Sequence, residues 1–311
     1  MAEAITYTGQ LAFHKTEEAV NKRLSAVLKS DAPIQAVIYG DTDSCYISLD
    51  PFIEKYNPKS PIDFVDSVAN DIISPTIDSA MEKMFNELSG YKSRLVMKRE
   101  SICSGFFVAK KHYALLIFDA EGGIRLSKPK LKIKGIAAIK SSTPKAIRTK
   151  MKDIFMMILT NKSQAEILKF IDQVKKIFNS LPPERIAFPR GAKDIEKWKP
   201  TSSGFAKGTP IQVKAAIVYN QLLQDHNLTH TYQKIRSGDK LKFVYLKSPN
   251  PIQKDVIGFL NKLPDEFDIA KYIDYPKMFE KTFLDTIDPI LEKVGLGSSR
   301  KASIDTFSFF S

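Results

Sequence analysis

The stretch that decides the reading is QAVIYGDTDSCYISL, residues 35–49. Two short β-rich runs, QAVIYG at residues 35–40 and SCYISL at residues 44–49, are separated by a polar turn around Gly40, Asp41, Thr42 and Asp43. Turn formers between apolar runs predict a hairpin. Its tip would carry two aspartates one residue apart, both facing one small volume. Carboxylate oxygens in such a place suit hard divalent cations, magnesium above all. A bare D-x-D is equally ordinary hydrated turn chemistry. A calcium loop is excluded, because Cys45 occupies the next ligand position and no glycine follows.

Outward from the hairpin, Leu11–Lys29 has Leu11, Val20, Leu24 and Leu28 near helical spacing, and Pro33 stops it. Ile62–Leu88 is a longer helical region that Pro75 should kink or break. RLVMKRE, FFVAKKHYALLIF and PKLKIKG read as strands, with a turn at Glu121-Gly122-Gly123. Strands joined by hairpins, with helices beside them, imply an antiparallel sheet with helices on one face, hence an α+β fold. After Gly135 the chain becomes mainly helical. Ser142 or Thr143 can cap a helix running to about Thr160, and a second helix spans Gln164–Ser180. Residues 181–210 read as ordered loop with a short helix near Asp194–Lys197. Ile211–Gln224 is helical, Leu241–Leu246 a strand, and Pro276–Val294 a last helix closed by Gly295.

The 311 residues suffice for one large domain or two ordinary ones, and the amino terminus has no signal-peptide pattern. No apolar stretch is long enough to cross a bilayer, so no membrane partner is expected and the expected location is cytoplasmic. Cys45 and Cys103, both in strand-like contexts, read as reduced core thiols, and the four histidines show no zinc-like spacing. Basic residues exceed acidic ones by 12, which favours a polyanionic partner, nucleic acid before membrane.

The frame of apolar strand, YGDTDS and apolar strand resembles motif C of family B DNA polymerases. In chain order AITYTGQLA, VMKRESI, AKKHYAL, LKIKG, SSTPKA and KASIDTF each resemble stretches of the replicative polymerases of T-even-type phages, and the resemblance covers essentially the whole chain. It implies a palm segment at residues 1–127, a mainly helical thumb at 128–297 and a flexible clamp-binding tail at 298–311. It also implies that Asp43 is a metal-bridging carboxylate, Asp41 a supporting one, and Glu100 an acidic group near the metals. Thr42 would lie against the incoming nucleotide. The metal would be magnesium in a two-metal site, where such ions activate the attacking oxygen and stabilise the leaving pyrophosphate.

The resemblance assigns Lys110, Lys111 and Tyr113, in AKKHY, to the primer-template backbone, with His112 departing from the family's K-K-R-Y. Strand alternation would put Lys111 and Tyr113 on one face and Lys110 and His112 on the other. Lys132 and Lys134 share a face and are implied to grip duplex; Arg190 falls in a segment similar to one near template-primer DNA. Ammonium groups there neutralise phosphates without reading bases. Lys193, Lys197, Lys199, Lys207 and Lys214 could line a duplex or face water. In the tail, Ile304, Phe307, Phe309 and Phe310 resemble a peptide that binds a sliding clamp; folding back onto the chain's own core is the other reading.

No D-x-x-S-L-Y-P-S or K-x-x-x-N-S-x-Y-G string occurs, and the acidic exonuclease motifs are absent. A split enzyme would supply them from a separate amino-terminal polymerase subunit; a truncated product is the other account. The expectation is a DNA-directed DNA polymerase acting on primer-template DNA and deoxynucleoside triphosphates with that partner. The alternative from another class is a noncatalytic DNA- and sliding-clamp-binding protein derived from such a polymerase.

Overall fold

The computed structural model describes residues 2–41, 44–88, 95–121, 123–198 and 204–297. The side chains of Ala2, Asp41 and Ala137 lie outside that description. The fold is α+β, with small antiparallel sheets set among helices. The chain divides into two compact units, Met1–Cys103 with Ile117–Lys130, and Ser104–Leu116 with Leu131–Ser311.

The first unit begins with α1 (Ala2–Leu28), longer at its start than the apolar spacing predicts. Ala2 and Ala4 are strong helix formers, and Glu3 complements the positive end of the helix dipole. Val20, Leu24 and Leu28, one turn apart, are buried, and Lys29 leaves the helix with φ 48°. β1 (Val37–Asp41) and β2 (Ser44–Ile47) form the antiparallel hairpin that the sequence predicts. Next comes α2 (Asp50–Tyr56), a short helix whose periodicity is too brief to read. α3 (Pro61–Val68) and α4 (Ser74–Glu87) are joined by a π-helical turn at Ala69–Ile73. That turn is how the expected interruption at Pro75 is realised. It contains Asp71, whose carbonyl a proline at 75 would meet in a regular helix. α1 packs on α4, and Val20, Leu24, Val37, Phe52, Ile77 and Met84 meet in one core.

The three-stranded sheet has the order β3 (Ile102–Ala109), β4 (His112–Ala120), β5 (Ile124–Lys134). Two sequence expectations change here. FFVAKKHYALLIF is a hairpin and no single strand, because Lys110 and Lys111 make the turn and Lys111 takes φ 60°. Of RLVMKRE, residues 95–100 form no strand; the Met97 and Arg99 side chains fix this segment instead. The turn after Ala120 holds as expected, Gly123 at φ 77°, with Gly122 outside the described residues.

The second unit holds α5 (Lys145–Leu159), α6 (Gln164–Asn179), α7 (Pro183–Ile186) and the sheet β6 (Phe188–Gly191), β7 (Lys240–Tyr245), β8 (Val256–Phe259). α5 starts differently from expectation. Pro144 is its cap, with ψ 138°, while Thr143 is buried and neither Ser142 nor Thr143 caps the helix. α6 has a full capping box between Ser163 and Glu166. α8 (Ile211–Asp225) lies so close on β8 that a Cβ on Gly258 would stand 3.0 Å from the Ala215 backbone. The last helical run is α9 (Tyr275–Phe279), a π turn at Glu280–Leu284 and α10 (Asp285–Lys293), closed by Gly295 at φ 75°. Phe178 meets Phe279 edge-on at 5.3 Å and Phe279 stacks on Phe283 at 5.1 Å between ring centroids. No helix among the described residues is long and apolar enough to cross a membrane.

Candidate active site and nucleic-acid interface

The β1–β2 hairpin is tied to α1 at two points and closed at its base. Asn21 of α1 accepts with Oδ1 from the Ala36 and Val37 amides at 2.8 and 3.0 Å, which fixes where β1 begins. The Ser48 amide donates to the Ala36 carbonyl at 2.8 Å and fixes where β2 ends. Near the tip, a Cβ on Gly40 would fall 2.1 Å from the Phe13 ring, so a larger residue there would have to push that ring of α1 aside. Tyr39 and Tyr46 meet across the strands at 5.6 Å, and a bulge at Ile38 twists the ladder between Val37 and Tyr39.

Asp41 closes the ladder opposite Ser44. Thr42 and Asp43 lie between them and outside the described residues, as does the Asp41 side chain. By chemistry alone, two aspartate carboxylates within residues 41–43 are hard oxygen donors of the kind that magnesium takes. Among the described residues, no group of three His, Cys, Asp or Glu side chains gathers as a metal site. Cys45, beside the tip, has its thiol pushed up by burial and is poorly suited to act as a ligand or nucleophile. Neither cysteine forms a disulfide among the described residues, and both are half-buried rather than fully in the core.

Glu100 is exposed in the irregular segment before β3. Its neighbour Arg99 is not. The Arg99 guanidinium donates from Nη1 to Asp119 Oδ1 at 2.6 Å and pairs through Nη2 with Asp66 Oδ1 at 2.9 Å. Asp119, in β4, is fully buried. Arg125 of β5 stands 3.7 Å from the second Asp119 oxygen and 2.6 Å from Asp63 Oδ1. Sequence reading missed this chain of alternating charge, although an aspartate inside the apolar run ALLIFDA is the signal that could have found it.

Lys110 and Lys111 are exposed at the β3–β4 turn, and the His112 Nδ1 lies 2.8 Å from the Lys110 carbonyl. The strand-face assignment therefore gives way to a turn that presents both lysines together. Tyr113 is buried, 3% exposed, with its ring 5.2 Å from Phe107. On β5, alternation puts Lys128, Lys130, Lys132 and Lys134 on one face, and all four are exposed. The sequence reading named only the last two. Arg190, in β6, is half-buried; its Nη1 donates to the Ser142 carbonyl at 3.2 Å and its guanidinium lies over Phe188. Lys214 and Lys254 flank the Phe205 ring at 5.8 and 6.0 Å. Ile304, Phe307, Phe309 and Phe310 lie outside the described residues.

The family model for divergent family B DNA polymerases matches residues 25–181, a span that includes the hairpin, Glu100 and the lysine strands. The chain belongs to the divergent family B DNA polymerases. Its similarity to a DNA-directed DNA polymerase of Escherichia phage RB69 is 29% identity, covering 99% of this chain and 36% of the relative. A DNA-directed DNA polymerase of Enterobacteria phage T4 is 26% identical over 98% of this chain and 35% of the relative. The chain thus spans about a third of the length of the curated relatives it matches. This divergent polymerase chain is related to the T-even-type enzymes along nearly its whole length.

Proposed function

We propose that the chain is the carboxyl-terminal part of a DNA-directed DNA polymerase that extends a primer 3′ end on template DNA. The observation that carries this reading is the YGDTDS hairpin of a family B member, locked at both strand ends and seated against α1. Residues 1–127 act as palm, 128–297 as thumb and 298–311 as a tail for a sliding clamp.

Asp41 and Asp43 hold magnesium, with Glu100 close by. Bound there, magnesium supplies charge to the triphosphate and to the attacking oxygen. The chain's own part is positional. The ladder closes at Asp41 and Ser44, and a paired scaffold of this kind suits metal-holding carboxylates better than a free loop. Thr42 lies against the deoxynucleoside triphosphate. Lys110, Lys111, Lys132 and Lys134 neutralise duplex phosphates, and Tyr113, being buried, supports the lysine turn from beneath; Arg190 braces the segment it belongs to.

The rest of the active site comes from an amino-terminal polymerase subunit. Among the described residues, eight of the ten exposed large hydrophobic side chains belong to the first unit, including Ile5, Tyr7, Ile38 and Val96. An open groove of about 530 Å³ runs along β1, lined by Phe13, Val37, Ile38 and Tyr39 among others. Apolar surface concentrated on one unit suits a large partner better than water.

Primer extension with magnesium and four deoxynucleotides tests this, using the chain alone and mixed with the amino-terminal half. Extension only in the mixture supports the reading. No extension with a folded partner, alongside intact duplex binding, leaves a noncatalytic DNA- and clamp-binding protein.

A further inference from the structure

We propose that Arg99 and Asp119 form a positioning pair that sets the direction of Glu100; the proposal rests on the reading of Glu100 as part of the polymerase site. Residues 95–100 have neither helix nor strand to fix them. Two side chains anchor them, Met97, which packs against the core of the first unit and accepts from the Thr16 hydroxyl at 3.5 Å, and Arg99. Arg99 reaches inward, 16% exposed, and its two terminal nitrogens engage carboxylates from different elements, Asp119 of β4 at 2.6 Å and Asp66 of α3 at 2.9 Å. Two anchors in different directions leave the guanidinium no free translation. Lys98 and Glu100, on either side, are exposed. Exposure alternates along the segment, with Met97 and Arg99 half-buried and Lys98 and Glu100 exposed, so holding Arg99 inward holds Glu100 outward.

The pair is built for this geometry. Asp119 is the deepest charge in the set, its side chain 1% exposed, and its second oxygen makes no hydrogen bond among the described residues. A carboxylate so placed tolerates no loss of its cation, which is why the contact stays closed. Only the planar fork of arginine serves two carboxylates at once; a lysine ammonium keeps the charge but not the bridge. The five groups Asp66, Arg99, Asp119, Arg125 and Asp63 make an alternating row that starts and ends on α3 and passes through β4 and β5. A plain structural staple would need the charge. A positioning device needs the fork.

The test compares Arg99→Lys with Asp119→Asn and Glu100→Gln. Amide hydrogen exchange on the full chain is read across residues 95–101. The magnesium concentration for half-maximal extension is read in the complex with the amino-terminal half. For Arg99→Lys, exchange in this segment should rise by about tenfold while the protection of α4 stays unchanged. The magnesium requirement should rise severalfold, and Arg99→Lys with Glu100→Gln should need no more magnesium than Glu100→Gln alone. Unchanged exchange in Arg99→Lys overturns the proposal, as does a double variant whose effects multiply. If Glu100→Gln leaves the magnesium requirement unchanged while Asp43→Ala abolishes extension, the positioning role falls and the polymerase reading stands. If no variant or wild-type complex extends DNA, the polymerase reading fails and exchange alone decides whether Arg99 directs the segment.

Discussion

A Cβ built on Gly135 would lie 2.3 Å from the carbonyl oxygen of Lys111, so the end of β5 passes directly over the lysine turn between β3 and β4. The contact joins LKIKG to AKKHY, two motifs that sequence alone leaves 20 or so residues apart. Gly135 also sits at φ 74°, where a side chain is strained whatever the space. Gly135→Ala should cost about 2 kcal/mol or more in urea unfolding, from left-handed strain plus the clash. Because the turn must shift, duplex affinity should fall with it. An alanine variant of unchanged stability would mean that the turn is loose.

Lys132 and Lys134 are exposed on one face of β5, and their proposed role is electrostatic. Each phosphate neutralised by a lysine steepens the fall of log K with log salt by about 0.9 on duplex DNA. Replacing both by alanine should flatten that slope by about 1.8, with little change between template sequences. Filter binding or fluorescence anisotropy across a salt series reads this directly. An unchanged slope would place the duplex elsewhere.

The capping box of α6 supplies a pH signature. Glu166 is held down to about 2, first by the Ser163 amide it accepts from, then by Lys162 and the Ser163 hydroxyl. A carboxyl whose folded pKa lies below its unfolded value of 4.5 stabilises the fold above that value. Its contribution fades as pH falls from about 4.5 toward 2. Thermal unfolding of Glu166→Gln should therefore differ from wild type at pH 7 and converge with it near pH 2. Ser163→Ala should cost about 1 kcal/mol at neutral pH.

Removing the cation from Asp119 should be more damaging than removing both charges. Arg99→Leu strands a buried carboxylate and should cost about 3–5 kcal/mol. Arg99→Leu with Asp119→Leu should recover much of that in denaturant unfolding, since the desolvated charge is gone.

The elements best read from sequence are those whose signals are local. The β1–β2 hairpin has turn formers between apolar runs, α6 has Ser163 and Glu166 at capping spacing, and α8 and β7 keep one period throughout. The lysine turn was illegible because Lys110 and Lys111 carry no turn signal. Lys111 takes a left-handed conformation uncommon for such a residue, with β5 lying against it through Gly135. Residues 95–100 have strand composition but are fixed by the Arg99 ion pairs and by Met97 against the core, contacts between residues far apart in the chain. The short strands β6 and β8 owe their existence to β7, whose ladder they complete. For the candidate site, the motif named Asp41 and Asp43 at once. The supports of the hairpin, Asn21 and Phe13, are visible only in three dimensions.

The central claim is that this chain carries metal-holding carboxylates of a polymerase, and Asp43→Ala in the reconstituted enzyme tests it most directly. Extension of a primed template and equilibrium binding of the same duplex are measured side by side. The polymerase reading predicts that extension falls by about a thousandfold or more while duplex affinity stays within about twofold. Extension that survives the substitution would contradict it.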